Sequence, residues 1–301
     1  MHAVELDNLT KRFGAQVAVN DLTLRVPRGS IYGFIGPNGS GKTTTLRMIL
    51  NILLPDAGSV RLLGGMAPGT CNDNVGYLPE ERGLYRRMKV REQLRFLAEL
   101  KCGRPRRREV DAWLERLGLS DWADRKVEAL SKGMSQKVQF IAAVVAQPDL
   151  LVLDEPFSGL DPVNAEAIRA AVLELRREGV TVIFSTHDMN TAETLCDFIF
   201  MIFKGSKVLD GTLRQIQDTY RADTLKVRVD GGMDALRALA GIEGVTDRGP
   251  WQEVRLAAGV DAQEVLKCLA ARTRVEHFEL ARPSLHEIFV RIAGPDNPPQ
   301  P

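Results

Sequence analysis

The sequence predicts an α/β protein in which a first domain with buried sheet strands is followed by a smaller α+β domain. The first observation is that the apolar runs "SIYGFIG", "DLLVLD" and "VTVIF" have strand length, and that each is followed by a polar segment and then by a helical pattern. The second is a change of pattern after residue 220, where strand-like and helical segments follow in the order β-α-β-β-α-β. Together they predict two domains, which suits a chain of 301 residues.

The composition favours a folded protein without general affinity for nucleic acid. Hydrophobic residues make up 44% of the chain, enough for a substantial core. The formal net charge is only +1. Because domains that bind nucleic acid carry an excess of Lys and Arg, we expect no nucleic-acid partner.

Two features indicate the cell compartment. The cysteines are scattered without a C-x-x-C pair, which is typical of reduced thiols in a cytosolic protein. The runs "FIAAVVA" and "FIFMIF" are too short to cross a bilayer, and the acidic, alternating start "MHAVELDNLT" indicates a strand and not a signal peptide. We therefore expect a cytoplasmic protein that reaches a membrane only through a partner.

The strongest motif is "GPNGSGKT", residues 36–43, which matches G-x-x-x-x-G-K-[ST]. It lies between an apolar strand and the helical pattern "TTTLRMILNILL", the usual context of a phosphate-binding loop (P-loop). Its glycines let backbone N–H groups surround a phosphate. Lys42 is expected to reach the β- and γ-phosphates, and the Thr43 hydroxyl to bind Mg²⁺. The alternative, an ordinary glycine turn, is disfavoured by the strand–loop–helix context.

Two further polar segments follow apolar strands. In "LLVLDEP", Asp154 and Glu155 stand at the carboxyl end of a strand, where α/β sheets bind ligands. Asp154 is the candidate Mg²⁺ ligand and Glu155 the candidate base that polarises the attacking water; a solvated acidic turn is the alternative. In "VTVIFSTHDM", His187 is expected to donate a hydrogen bond to the γ-phosphate or the attacking water, unless it is a loop residue that caps the next helix.

The ordered segments "GPNGSGKT", "LSKGMSQ", "LLVLDEP", "SGLD" and "STHD" resemble the nucleotide-binding subunit of an ATP-binding cassette (ABC) transporter over residues 1–220. The resemblance implies a P-loop NTPase fold, the ABC cassette, with an antiparallel N-terminal β subdomain and a helical subdomain. It implies ATP contacts for the loop residues Gly36, Pro37, Asn38, Gly39, Ser40, Gly41, Lys42, Thr43 and Thr44. Phe13 in "TKRFG" matches the family's aromatic that stacks on adenine, although a core aromatic is the open alternative.

The segment "LSKGM" departs from the family's signature, LSGGQ. Leu130, Ser131 and Gly133 agree, while Lys132 replaces a glycine and Met134 the glutamine. In the family this segment closes over ATP that a second subunit holds. The resemblance therefore implies that Ser131, Gly133 and Met134 contact nucleotide in a dimer with a second ABC ATPase subunit, either identical or a close paralogue. Residues 158–161, "SGLD", match the D-loop that touches the opposite subunit.

The segment "VGYLPEERGLYRRMKV" occupies the family's Q-loop, with Glu80 in place of a glutamine. A carboxylate is also a hard-oxygen ligand, so Glu80 is expected to join Thr43 and Asp154 at Mg²⁺. The string "PEERGLY" resembles a bacterial subgroup that includes sodium-efflux (NatA-like) and drug-export ATPases. That resemblance implies export.

The helical patterns "VREQLRFLAELKCG" and "REVDAWLERLGL" fall in the predicted helical subdomain, about residues 86–147. In the family this subdomain docks on a transmembrane permease. The resemblance therefore implies a permease partner and a peripheral position on the inner face of the cell membrane. The transported substrate is not indicated, because its pocket lies in another chain.

Residues 221–294 are predicted to form a ferredoxin-like accessory domain. Its elements are "TLKVRV", "MDALRALAGI", a hairpin of "GVTDRG" and "WQEVRLA", "DAQEVLKCLA", "VEHFELA", and "SLHEIFVRIA" with Ser284 as helix cap. His277 and His286 have no second ligand at metal spacing, so both are expected to be structural. Residues 295–301 are expected to be a disordered tail.

Other protein classes share the phosphate loop. A GTPase or kinase leaves the signature segment unexplained, and the chain has no N-K-x-D guanine motif. A soluble ABC ATPase acting on a ribosome or nucleic-acid complex is the remaining alternative. Ribosomal types usually join two cassettes, and DNA-repair types insert a long coiled coil, whereas this sequence has the motifs of one cassette and no heptad insertion. The sequence thus predicts an ATP-binding and ATP-hydrolysing subunit of an ABC transporter, an exporter, which powers a separate permease through ATP-driven dimerisation.

Overall fold

A computed structural model describes residues 2–67, 69, 72–81, 83–220, 224–231, 236, 240–257 and 259–294. The chain divides into two compact units, Met1–Thr212 and Leu213–Pro301. The sequence places this boundary after residue 220, so the intervening helix belongs to the second unit. Its contacts give the reason, because the Gln217 amide donates to the Pro283 carbonyl at 3.1 Å.

A three-stranded antiparallel sheet begins the first unit, as the sequence predicts for the N-terminal β subdomain. Alternate side chains of the first strand are buried, among them Val4 and Leu6, and pack with Phe34 of the second sheet. The strand order is β2-β1-β4, with β1 (His2–Phe13), β2 (Gln16–Pro27) and β4 (Ala57–Leu62).

A six-stranded sheet forms the centre of the first unit, in the order β5-β6-β7-β3-β8-β9. The first five strands in this order are parallel to one another, and the sixth, β9, is antiparallel to β8. The apolar runs predicted as strands are β3, β6 and β7, and each is buried along its whole length, as parallel strands covered on both faces are. The strands are β3 (Ile31–Ile35), β5 (Val75–Leu78), β6 (Leu150–Asp154), β7 (Thr181–Thr186), β8 (Phe198–Phe203) and β9 (Ser206–Gly211).

Helices surround this sheet. A core on one face joins the strands to three helices that lie within the predicted helical subdomain, α2 (Val90–Cys102), α3 (Arg107–Arg116) and α4 (Lys132–Val144). The other helices of the first unit are α1 (Lys42–Ile49), α5 (Pro162–Arg177) and α6 (Met189–Leu195). Helix α1 is shorter than the pattern "TTTLRMILNILL" because Asn51, just after the C-cap Leu50, adopts φ 57°.

The second unit starts with α7 (Leu213–Thr219) and contains a four-stranded antiparallel sheet in the order β11-β12-β10-β13. The strands are β10 (Thr224–Val229), β11 (Ile242–Asp247), β12 (Gln252–Leu256) and β13 (Val275–Ala281). This order is that of a ferredoxin-like sheet and confirms the predicted hairpin around Gly249 and Pro250.

Two helices of the second unit match their predictions. They are α8 (Ala262–Arg272) and α9 (Leu285–Ala293), and Ser284 caps α9 in a reciprocal arrangement with Glu287. Most of the predicted helix "MDALRALAGI" lies outside the described residues, as do the predicted tail 295–301 and Cys71. Within the described part of the chain, no helix has the length and apolar character needed to span a membrane.

Candidate functional site

The candidate site is built on the turn from β3 to α1. Gly36 has φ 151°, and a Cβ there would lie 2.3 Å from the Ile202 carbonyl oxygen. Gly41, at φ 110°, would meet the Ala18 carbonyl oxygen at 2.5 Å. Only glycine fits both positions, so the loop can wrap closely with its N–H groups directed inward.

Lys42 opens α1 and is only 6% exposed. Its Nζ donates to the carbonyls of Gly36 at 2.7 Å and Pro37 at 3.1 Å. Burial lowers the pKa of this ammonium, and three nearby carboxylates act in the opposite direction, those of Glu155, Asp154 and Glu80. The lysine is therefore a desolvated cation within a loop of N–H donors, which is an arrangement that suits a phosphate.

The Ser40 hydroxyl adds a polar group to the same loop. Ser40 is 3% exposed, and its Oγ has no hydrogen-bond partner among the described residues. A buried hydroxyl without a partner is costly unless a ligand satisfies it. This observation again favours an anion in the loop.

Asp154 ends β6 and faces the first turn of α1. Its Oδ1 accepts from Thr43 Oγ1 at 3.2 Å and from the Ser185 hydroxyl. Its Oδ2 is buried and has no partner in the described structure. A carboxylate oxygen left free beside a threonine hydroxyl fits Mg²⁺, which prefers oxygen ligands and binds through few protein groups.

Glu155 follows immediately and adopts φ 49°, an uncommon conformation for a residue with a side chain. Its N–H donates to Ser185 Oγ at 2.9 Å, which holds this turn. Its Oε1 lies 3.0 Å from Nδ1 of His187, which follows the adjacent parallel strand β7. The predicted pair of carboxylates and the predicted histidine are thus brought to one edge of the sheet.

Ser185 was not predicted as a site residue. It is fully buried at the end of β7, and its hydroxyl accepts from the backbone of Glu155 and donates to Asp154. The signal in the sequence was a hydroxyl residue just before the end of an otherwise apolar strand.

Phe13 and Glu80 lie at the margins of this site. Phe13 is 52% exposed beside the β1–β2 turn, with Lys11 Nζ 5.6 Å from its ring centroid, so the core-aromatic alternative is excluded. Glu80 is exposed after β5 and its charge acts on Lys42. Both side chains are therefore accessible to a ligand.

The signature residues lie at the start of α4. Ser131 caps the helix by accepting from Met134 N at 3.2 Å, and the Met134 side chain packs on the helical core. Gly133 lies so close to Asn164 that a Cβ would be 2.6 Å from the amide nitrogen. No described hydrogen bond or ion pair joins the segment to the loop 36–44 of the same chain. The signature segment and the P-loop of one chain are therefore not joined by any described hydrogen bond or ion pair.

No group of three or more His, Cys, Asp or Glu side chains with metal-binding potential occurs in the described ranges. His277 pairs with Glu279 at 3.3 Å, and no metal-binding group includes it.

Comparison with known proteins places these observations in a family. Residues 19–158 match the model of the ABC transporter family, and residues 211–293 match that of the C-terminal domain of ATP-binding proteins like DrrA1-3. The second match supports the resemblance of "PEERGLY" to the bacterial subgroup that includes NatA-like and drug-export ATPases. This match begins at residue 211, next to the boundary between the two units at Thr212 and Leu213.

Similar proteins span nearly the whole chain. An uncharacterised ABC transporter ATP-binding protein, YhaQ of Bacillus subtilis (strain 168), is 42% identical over 297 residues, which cover 96% of this chain and 98% of that protein. The Nod factor export ATP-binding protein I of Ralstonia nicotianae is 34% identical over 305 residues, 97% of this chain and 94% of that protein.

A solved structure of an ATP-binding subunit of an ABC transporter superposes with a TM-score of 0.68 at 31% identity, over 72% of this chain and 93% of that one. The P-loop, the paired carboxylates and the matches agree: the chain is an ATP-binding subunit of the ABC transporter family.

Proposed function

We propose that this subunit binds ATP with Mg²⁺ between two cassettes, hydrolyses it and thereby powers export through a separate membrane permease. The observation that carries the proposal is the meeting of the P-loop with the ends of β6 and β7. There the buried Lys42, the free oxygen of Asp154 and the Glu155–His187 pair face one edge of the sheet.

ATP occupies the loop 36–44 in this proposal. The ammonium of Lys42 exchanges its contacts with two loop carbonyls for contacts with the β- and γ-phosphates, and the hydroxyl of Ser40 gains a partner. The exposed ring of Phe13 stacks on adenine. The support for this contact is that the β1–β2 hairpin, which carries Phe13, also carries Ala18, and Ala18 lies against Gly41 of the loop.

Thr43 and Asp154 hold Mg²⁺, with Glu80 as the third protein group. Mg²⁺ supplies charge neutralisation of the phosphate oxygens when bound. The residues themselves orient the site: the Thr43 hydroxyl and the Ser185 hydroxyl fix one oxygen of Asp154, which leaves the other oxygen available.

Glu155 accepts the proton of the water that attacks the γ-phosphate. The buried position of its carboxylate limits competing solvent, and His187 holds Oε1 in place. The ring of His187 is 56% exposed, so it can also reach the γ-phosphate.

The second face of the nucleotide comes from another cassette, an identical or closely paralogous subunit. The N-terminus of α4 offers free N–H groups and the Ser131 hydroxyl, yet the described contacts tie it to the D-loop region and not to its own P-loop. Ser131, Gly133 and Met134 then close over ATP held by the partner.

The permease docks on the helical subdomain, which places the protein in the cytoplasm, peripheral on the inner face of the cell membrane. An apolar surface supports this, because Tyr85 and Phe96 are exposed and form an edge-on ring pair at 6.2 Å. Leu100, one helical turn after Phe96, is 74% exposed. Exposed apolar patches of this kind mark protein partners. Export agrees with the name of the Nod factor relative.

The alternative, a soluble ABC ATPase on a ribosome or nucleic acid, has no such support, since the family matches are to transporter proteins. The proposal is tested with Glu155→Gln, which keeps the P-loop but removes the base. Hydrolysis should fall about 10²–10⁴-fold, while ATP binding persists and the protein accumulates as a nucleotide-bound dimer in size-exclusion chromatography. Lys42→Ala is the matched contrast, because it should lose ATP binding itself. Hydrolysis by Glu155→Gln near the wild-type rate would contradict the assignment.

A further inference from the structure

A basic cleft lies on the sheet of the second unit, on the side opposite to its apolar core. Lys226 on β10 and Arg255 on β12 point away from the core residues Leu225 and Val254. The cleft has a volume of about 210 Å³ and adjoins a second one of about 360 Å³ that shares Thr224, Glu253 and Arg255. Together they reach the size of a small-molecule site.

Positive charge dominates the lining of the smaller cleft. It contains five basic side chains against two carboxylates: Lys226, Arg248, Arg255, Arg282 and Arg291, with Glu253 and Glu287. The whole chain, in contrast, has a net charge of only +1. The excess is therefore local, and it concentrates an attractive potential for anions in a concave site.

The two carboxylates are already engaged. Glu253 accepts from Arg248 at 3.0 Å. Glu287 accepts from the backbone N–H of Ser284 at 2.7 Å and from its hydroxyl at 3.0 Å, as part of the α9 cap. Only the charge of Glu253 is paired with a cation of the cleft, and with both carboxylates counted the five basic residues still leave an excess of three positive charges.

Those cations have weak partners or none. The side chain of Arg255 forms no hydrogen bond or ion pair with any described residue, and Lys226 lies over the ring of Trp251 at 5.6 Å. Arg282 is 3.8 Å from Asp218. Guanidinium groups present paired N–H donors that match the oxygens of a phosphate group.

We propose that this cleft, formed by Lys226, Arg255 and Arg282, binds a phosphate group. The group belongs either to a soluble phosphorylated molecule or to an anionic phospholipid. The proposal concerns only the second unit and does not depend on the function of the P-loop. It gives the C-terminal domain a ligand-binding role.

The test uses the full chain and the fluorescence of Trp251, which Lys226 contacts. Trp113 and Trp122 are replaced by Phe so that Trp251 is the sole reporter. Inorganic phosphate should change the emission saturably. A hydrogen bond to a charged group contributes about 1.5–3 kcal/mol. Arg255→Gln and Arg282→Gln should therefore each raise the Kd for phosphate about tenfold or more. The matched control Arg272→Gln changes an exposed side chain of α8 outside the cleft and should leave the emission change unaltered.

Vesicles distinguish the two sources of phosphate. Sedimentation with vesicles of phosphatidylglycerol, but not of phosphatidylcholine, that is lost in Arg255→Gln and kept in Arg272→Gln identifies a lipid headgroup. A phosphate response without vesicle binding identifies a soluble phosphorylated ligand. If neither phosphate nor anionic vesicles gives a signal that depends on Arg255 and Arg282, the proposal is overturned.

Discussion

Nδ1 of His187 lies 3.0 Å from Oε1 of Glu155, where two adjacent parallel strands of the central sheet end. The Glu155 side chain is 9% exposed and that of His187 56% exposed. A buried carboxylate is therefore oriented by a ring that also reaches solvent. We propose that this pairing lets His187 position the proposed base, besides any contact with phosphate.

His187→Ala should lower kcat for ATP hydrolysis about 10²-fold, because general-base catalysis depends on the position of the base. The Kd for ATP should change little, since Lys42 and the loop remain. Phosphate release and equilibrium binding of a fluorescent ATP analogue measure the two quantities. His277→Ala is the matched control, as it also removes a histidine paired with a glutamate, at 3.3 Å in the second unit. Equal kcat values for the two variants would refute the positioning role.

Glu80→Ala should raise the Mg²⁺ concentration needed for half-maximal hydrolysis, since it removes one of the proposed oxygen ligands. Glu80→Gln should have a mild effect, because an amide oxygen also binds Mg²⁺. The neighbouring exposed Glu81 provides the control variant, Glu81→Ala. An unchanged Mg²⁺ dependence in Glu80→Ala would assign this carboxylate to another role, such as contact with the permease.

Most of the site was predictable because its motifs are local. The run from Gly36 to Thr43 specifies its own loop through glycine conformations, and the apolar strands before Asp154 and His187 indicate which residues emerge at the sheet edge. The carboxyl ends of parallel strands lie at one edge of a sheet, which is where α/β proteins bind ligands.

Tertiary contacts were not predictable in the same way. Ser185 acts on Asp154 and Glu155 only because β7 lies beside β6, a pairing that no local pattern specifies. The edge strand β9 was also missed, and its Asp210 accepts a hydrogen bond from the fully buried Tyr32. Both relationships join residues that are far apart in the chain.

Gly33 is also constrained by a residue far away in the chain, and a stability measurement can test this constraint. It lies on the central strand β3, and a Cβ there would be 2.4 Å from Cys196 Sγ but 3.7 Å from Cys196 Cβ. Gly33→Ala should destabilise the fold by about 1–3 kcal/mol through overpacking. Cys196→Ala removes the sulfur, so the double variant should recover most of the loss.

Urea unfolding of the four proteins of this cycle gives the coupling between the two sites. Gly244→Ala is the control, because its Cβ would meet no atom within 4 Å. Its free energy of unfolding should remain close to that of the wild type. If the loss of unfolding free energy in the double variant equalled the sum of the losses in the two single variants, the sulfur would not be the source of the strain.

The last prediction concerns the composite ATP site and is tested by mixing two inactive variants of this subunit. Lys42→Ala lacks a working P-loop but keeps its signature segment. Ser131→Arg keeps the P-loop but places a bulky cation where the signature would close over the partner's nucleotide. Since Ser131 also caps α4, its loss costs about 1 kcal/mol, so the thermal unfolding of this variant is measured first.

Each variant alone should form only inactive sites, because each composite site needs one intact P-loop and one intact signature. A mixed dimer joins the P-loop of the Ser131 variant to the signature of the Lys42 variant and so restores one complete site. ATP hydrolysis should therefore reappear on mixing. Where coupling between the two sites suppresses turnover, cysteines introduced at Ser40 and Ser135 should crosslink across subunits when ATP is present. A crosslink confined to single chains would show that the helix start at Ser131 serves a purpose other than closing over a partner's ATP, because only a head-to-tail dimer brings these two positions together between chains.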